Sequence, residues 1–266
     1  MTEPNYETEL RVAQQAARAA GERIMKSWDR DFRLEFKGEV DLVTEVDRDA
    51  EQIILKVLND AFSEDTIVAE EGGGGVGSSS RTWYIDPLDG TTNFAHGLPH
   101  FCVSIGLVIG EAPVLGVIYE PVRDLMFTAN GEGTAAMNSR PISVSAKKQL
   151  GQSLLATGFP YDRRTSLDNN MPQASALLRQ CQGLRRAGAA ALDLAYVACG
   201  WLDGYWEDKL HPWDMTAGCA IVEGAGGRVS RFDESDIVVT TRQCLATNGH
   251  IHSALSRALA DVSQDC

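Results

Sequence analysis

The hydrophobic period of this chain changes near Thr66, and that change constrains the fold more than any other feature of the sequence. Before it, apolar residues recur at helical spacing. Leu10, Ala13, Ala17, Ala20, Ile24 and Trp28 form one stripe. Ala50, Ile53, Ile54, Val57, Leu58, Ala61 and Phe62 form a broader one, in a second helix opened by Asp47. Both are the apolar faces of helices that pack on a core. Between them, RDFRLEFKGEVDLVT is a polar connector running into a short apolar segment. Beyond Thr66, TIVAE, TWYID, FCVSIGLVIG, PVLGVIYEP and DLMFTA have the composition and turn punctuation of strands. GGGGVGSSS, between the first two, reads as a flexible loop.

The turn NSRP leads to two further expected strands, ISVSA and SLLATG. The remainder alternates: a helix at ASALLRQC, a strand at GLRRAG, a helix through AALDLAYVACG, a strand at DGYWE, a helix from Trp213-Asp214, and a closing helix at HSALSRALADV. Strands outnumber single βαβ units and run partly antiparallel. The expected fold class is therefore α/β of the α+β type, layered, with mixed sheets, and not a doubly wound Rossmann fold. At 266 residues and 44% hydrophobic, the chain can bury one large core or two small ones. No internal repeat is evident.

A net charge of −13 argues against general affinity for nucleic acid or anionic membrane. It does not exclude an anionic substrate if bound cations supply a local positive field. The six cysteines are scattered without a CxxC pair and read as buried, reduced thiols. MTEPNYETEL lacks the basic start and apolar run of a signal peptide, and no segment approaches a membrane span. The expectation is a cytoplasmic protein.

Five acidic sites stand at expected strand ends or helix starts, where α/β proteins place their chemistry. They are Asp47, the Glu70-Glu71 pair, Asp86, Asp89 and Asp214. Asp47 and Asp214 read equally well as helix caps, and Glu70-Glu71 alone would be a solvated strand end. The pair in IDPLDGTTNF is different. Pro87 removes a backbone donor and stiffens the turn, so both carboxylates can point into one space. Two acids held together repel unless a cation intervenes. Hard oxygen ligands suit Mg²⁺ or Mn²⁺, with no cysteine–histidine cluster to favour zinc. Gly90-Thr91-Thr92-Asn93 then reads as a first helical turn whose free N–H groups receive a phosphate.

Other signatures fail. GGGGVG matches GxGxxG but runs into serines and a strand, not a helix. There is no P-loop and no GxSxG. DPLDGT resembles the aspartyl-phosphatase pattern DxDGT, but Pro87 and Leu88 both separate the acids and would misplace the second as a proton donor. His96 and His100 could line a pocket beside the motif. His250 and His252, flanking Ile251, read as surface residues.

Taken together, these segments resemble the inositol monophosphatase family of magnesium-dependent, lithium-sensitive phosphatases. WYIDPLDGTTNFAHGLPHFCVSIGL carries most of the resemblance, with WEDKLHPWDMTAGCAIVEGAGG downstream and DLVTEVDRDAE and AEEG upstream, in family order. It runs from about Ala13 to Ala258. The resemblance implies an α/β/α/β/α sandwich, one catalytic domain over 1–266 with lobes of roughly 1–145 and 146–266, and a homodimer. It implies hydrolysis of a phosphate monoester by metal-activated water, without a phosphoenzyme. Glu70, Asp86 and the Leu88 carbonyl would bind a first ion, and Asp86, Asp89 and Asp214 a second, with a weaker third near Glu70. Asp47 and Thr91, with Glu70, would orient the attacking water. Gly90 and Thr91 amides would hold the phosphate, and Glu207 and Ala190 would line the alcohol side. Lys37 matches a mobile-loop lysine. Ala69, where many members have glycine, and the Gly72–Gly77 run depart from the pattern.

DGTTNF, GFPYD and Glu207 favour inositol-1-phosphate as substrate. Fructose-1,6-bisphosphate and histidinol phosphate stay open. Some bacterial members act in transcription antitermination complexes with RNA polymerase without needing catalysis, so a binding role is the alternative of another class. The acidic surface disfavours direct RNA contact.

Overall fold

The computed structural model describes residues 6–28, 34–36, 42–131 and 133–264. Helices α1 (Glu7–Ser27) and α2 (Glu45–Ala61) flank an antiparallel pair, β1 (Leu34–Phe36) and β2 (Leu42–Thr44). A first large sheet follows from β3 (Thr66–Ala69), β4 (Gly74–Gly75), β5 (Arg81–Asp89), β6 (Cys102–Ile109), β7 (Ala112–Glu120), β8 (Leu125–Ala129), β9 (Ala135–Met137) and β10 (Arg140–Pro141), with the short helix α3 (Thr91–Ala95) after β5. The second half supplies β11 (Leu154–Thr157), α4 (Met171–Leu178), β12 (Gly183–Arg185), α5 (Ala190–Ala198), β13 (Gly204–Asp208), α6 (Pro212–Gly224), β14 (Arg228–Ser230), β15 (Gln243–Thr247) and α7 (His252–Gln264).

The eight-stranded sheet has the order β10-β9-β8-β7-β6-β5-β3-β4 and is antiparallel except where β3 pairs with β5. The five-stranded sheet, β12-β11-β13-β15-β14, is parallel across β12, β11 and β13 and antiparallel beyond. Three apolar cores separate five layers. α1 and α2 bury Ala13, Ala17, Ile24, Ile54 and Leu58 against Trp83, Ile85, Val103 and Ile105 of the first sheet. α5 and α6 lie between the sheets, packed on Ile118 and Phe127 on one side and Tyr205 and Ala246 on the other. α4 and α7 cover the far face of the second sheet with Leu177, Leu255 and Leu259. α6 is buried on every side from Met215 to Val222, which accounts for its nearly all-round apolar sequence.

The expected α/β/α/β/α sandwich with mixed sheets is the observed one, and four local expectations change. Gly74–Gly75 of the glycine run is not free loop but an edge strand against β3, and Glu51 accepts N–H bonds from Glu71 (2.8 Å) and Gly73 (3.0 Å). ISVSA, expected as a strand, is irregular. β14 and β15 lie in a stretch without clear strand punctuation. α2 begins at Glu45, so Asp47 sits inside its first turn. Among the described residues, no helix is long and apolar enough to cross a membrane.

One close approach sets the site. Gly106 and Gly116 are directly opposite on β6 and β7, and α6 lies on them. A Cβ at Gly106 would come within 2.5 Å of Thr216 Cγ2 and 2.7 Å of the Ala217 nitrogen. Two bare positions thus let α6, which carries Asp214, sit down on the sheet that carries Asp86 and Asp89.

Candidate active site

In a regular strand, residues three apart face opposite sides. Asp86 and Asp89 are three apart, yet both line the same cavity. The register explains it: Asp86 pairs with Ser104 and Asp89 with Cys102, three steps on β5 against two on β6. This one-residue bulge, at Pro87-Leu88, turns the second acid back to the face of the first. Pro87 fits because a bulged position needs no ladder donor. The Leu88 N–H donates to Asp86 Oδ1 at 3.0 Å.

The chain then turns at Gly90 with φ +91°, a left-handed conformation suited to glycine. A side chain there would also press on the His100 carbonyl and the Phe101 backbone. The Thr91 hydroxyl lies 2.9 Å from Asp47 Oδ1 and 2.9 Å from the Leu88 carbonyl, tying α2 to the end of β5. Asn93 is buried and ties instead of binding: its amide donates to the carbonyls of His100 (2.7 Å) and Ala187 (2.9 Å). That clamps α3 to the loop before α5. The first turn of α5 in turn donates to Asp89, with the Ala191 N–H at 2.8 Å from Oδ2.

Glu70 follows β3, Glu207 lies on β13, and Asp214 is the third residue of α6. All three reach the cavity, which has a volume of about 180 Å³ and is also lined by Leu88, Gly90, Thr91 and Ala190. Asp214 spends one oxygen on the His211 N–H at 2.7 Å, so its reading as a helix cap holds too. Asp47 reaches the cavity only through Thr91. His96 and His100 do not line it. Lys37 lies outside the described residues.

Electrostatics define what this cavity accepts. Burial pushes the Asp86 carboxyl well above its ordinary range, and the charges of Glu70, Asp89 and Asp214 push it further. Burial and Glu70 do the same to Asp214. Asp89 is raised by burial to about 6, held back by the α5 N–H groups and the Cys102 thiol. Glu207 is raised by burial to about 7 although the Tyr205 hydroxyl donates to it at 2.6 Å. Among the described residues, no three acidic, histidine or cysteine groups already stand as a closed metal cage. What Glu70, Asp86, Asp89 and Asp214 share is a cavity wall and a mutual repulsion that a cation would relieve. Every donor is an oxygen, the Leu88 carbonyl included, so the set fits a hard divalent ion.

Sequence reasoning missed three contributors. The Gly106–Gly116 pair gives no signal before the register is known. Tyr205 is concealed in an apolar strand. Asp193 lies in an apolar helix and lines the cavity together with Arg186. Two further readings are settled away from the site. His250 is exposed as expected, but His252 is fully buried, its ring nitrogens 2.8 Å from Ser230 Oγ and 2.9 Å from Thr247 Oγ1. Cys102, Cys181, Cys199, Cys219 and Cys244 are free thiols, three of them buried and two half-buried.

A five-layered α/β sandwich with a carboxylate-walled cavity beside a glycine–threonine turn defines a hydrolase of phosphate monoesters. The sequence model of the Inositol monophosphatase family matches residues 5–264, and the chain belongs to that family, whose members are generally metal-dependent. The inositol-1-monophosphatase of Synechocystis sp. is 50% identical over 262 residues, 98% of this chain and 91% of its own. The Nus factor SuhB of Pseudomonas aeruginosa is 45% identical over 253 residues, 92% of this chain and 93% of its own. The solved inositol monophosphatase of Anabaena (Nostoc) sp. superimposes with a TM-score of 0.88 at 45% identity, covering 96% of each chain.

Proposed function

We propose that this protein is a magnesium-dependent inositol monophosphatase acting on inositol 1-phosphate. One observation carries the reading: Glu70 after β3, Asp86 and Asp89 on β5, and Asp214 on α6 converge on one cavity beside the Gly90–Thr91 turn. Glu70, Asp86 and the Leu88 carbonyl would hold a first ion, Asp86, Asp89 and Asp214 a second, and a third would bind near Glu70, with Mn²⁺ a substitute for Mg²⁺. When bound, such ions lower the pKa of water, clamp phosphate oxygens and neutralise the leaving oxygen.

The chain's own groups do the rest. Thr91, fixed by Asp47, and Glu70 orient the attacking water, and the Glu70 carboxylate takes its proton. The water oxygen bonds to phosphorus as the bond from phosphorus to the alcohol oxygen breaks, and that oxygen takes up a proton from solvent. Gly90 and Thr91 N–H groups hold the phosphate. Glu207, steadied by Tyr205, and Ala190 flank the alcohol. The cavity is lined from both halves of the chain, which supports one catalytic domain with lobes of roughly 1–145 and 146–266. Family membership supports a lithium-sensitive, cytoplasmic homodimer.

A phosphate-release panel tests this. With Mg²⁺, inositol 1-phosphate should be cleaved faster than fructose-1,6-bisphosphate or histidinol phosphate, and lithium or a chelator should suppress the reaction. Release from one of the other two alone would reassign the substrate. A second reading is favoured by the 45% identical Nus factor: a role in transcription complexes. Retention of RNA polymerase by the immobilised protein, unaffected by Asp89→Asn, would support that role beside catalysis.

A further inference from the structure

Other buried carboxylates among the described residues face a donor or a cation; even Glu120 Oε1, which lacks a hydrogen bond, has the Arg123 guanidinium at 3.3 Å. Asp65 accepts from Trp83 Nε1 at 2.9 Å and Arg81 Nε at 3.0 Å. Asp203 accepts the Leu154 N–H at 2.7 Å and the Ser145 hydroxyl. Glu51 takes the two loop N–H groups already described. Asp193 is as buried, 2% exposed, but its Oδ1 is shut off from solvent without a hydrogen-bond partner among the described residues. Leaving such an atom unpaired is costly. It lies one helical turn after Ala190, on the same face of α5, and both residues line the cavity with Glu207.

We propose that Asp193 is a specificity-determining residue that hydrogen-bonds a hydroxyl of the alcohol half of the substrate. The cavity would then take phosphates of polyhydroxylated alcohols and discriminate against the same ring without hydroxyls. The inference rests on the cavity being the phosphate-monoester site.

The surroundings fit a hydroxyl in particular. Burial, and then the charges of Glu207 and Asp89, raise Asp193 well above the ordinary carboxylate range, towards the neutral form that carries a donor proton. Arg186 faces both Asp193 and Glu207 and opposes the shift in each. On Glu207, the Tyr205 hydroxyl occupies Oε2, which leaves Oε1 to accept. A hydroxyl donates and accepts at once, so a polyol can satisfy a neutral acid and a carboxylate together. An unsubstituted ring carbon would leave Asp193 Oδ1 and Glu207 Oε1 without that hydroxyl, the arrangement that gives strong rejection of analogues lacking the polar group.

The test compares inositol 1-phosphate with cyclohexyl phosphate, the same ring bare of hydroxyls, in wild type, Asp193→Asn and Asp193→Ala with Mg²⁺ present. Asp193→Ala should lose about 10- to 100-fold in kcat/KM on the inositol ester, the range expected for one hydrogen bond in a closed site. It should stay within about threefold on the cyclohexyl ester, and Asp193→Asn, which keeps a donor, should remain near wild type on both. Tm of Asp193→Ala should equal or exceed that of wild type, because an unpaired buried acid is removed. Equal loss on both esters, no loss on either, or a lowered Tm that accounts for the loss would overturn the assignment alone. A wild-type protein that cleaves the cyclohexyl ester but no hydroxylated one would instead overturn the polyol reading of the site, and this assignment with it.

Discussion

Asp89 is held from two sides, by the first turn of α5 and by the Cys102 thiol at 3.7 Å. Its position therefore does not depend on its charge. Asp89→Asn keeps an acceptor for the Ala191 N–H and removes one negative charge from a crowded cavity. The expected outcome is a folded protein, with Tm in chelator no lower than wild type and kcat reduced at least about 100-fold, as when a charge-stabilising group is lost. Circular dichroism and a phosphate assay on the same preparation check it; turnover near wild type would remove Asp89 from the ligand set. Residues that declare themselves in sequence are those whose local pattern is unusual, such as two acids around a proline. Asp193 gives no such sign. In AALDLAYVA it has the look of a helix's polar face, and only the packing of α5 between two sheets reveals that it is turned from solvent onto the cavity.

At the scale of elements, α6 depends on two glycines for its seat. Gly106→Ala should cost about 1–3 kcal/mol, the usual penalty for overpacking, seen as a lower urea midpoint. It should also lower kcat, because Asp214 rides on the displaced helix. Loss of stability with full activity would show that α6 tolerates the shift.

The buried His252 tests a different element contact, α7 against β14 and β15. Burial, with help from the Arg228 charge, lowers its pKa to about 4, against about 6.5 in an unfolded chain. Between those values the unfolded chain binds a proton that the folded one does not. Stability from this source is complete above about pH 6.5 and is lost progressively as pH falls towards 4. His252→Gln should flatten that part of the urea midpoint–pH profile; an unchanged slope would reject the assignment. The helices and central strands were legible because their periods are long and regular. β15, only five residues and almost continuously buried, has no alternation to detect. ISVSA has strand composition, but only Ile142 bonds a neighbouring strand, its N–H donating to Ala135 of β9, and Val144 bonds the end of α6 instead. His252 looked like a surface residue because its partners, Ser230 and Thr247, come from strands the pattern did not disclose.

Across the whole molecule, a net charge of −13 and a cavity lined by acids act in the same direction, concentrating cations near the site. Divalent ions that bind only the folded state stabilise it by about 2.7 kcal/mol at a hundredfold excess over Kd. For a chain of this size that corresponds to a Tm increase of about 5–10 °C with Mg²⁺, reversed by chelator. The increase should shrink in Asp89→Asn, and an equal increase in both proteins would place the ions elsewhere. Because both sheets line the cavity, the ions should raise one cooperative transition and not split it.

The surplus residue in β5 carries a lasting consequence. Function here depends on parity: an odd interval between two acids works only because the strand miscounts once. Losing or gaining a single amino acid at that place would leave hydrophobic pairing on either side largely recoverable, yet send one carboxylate to the wrong side of the sheet. The glycine-rich segment a few residues upstream is tied only at its edge pairing and at Glu51, so a change in its length should leave the interval from Asp86 to Asp89 untouched.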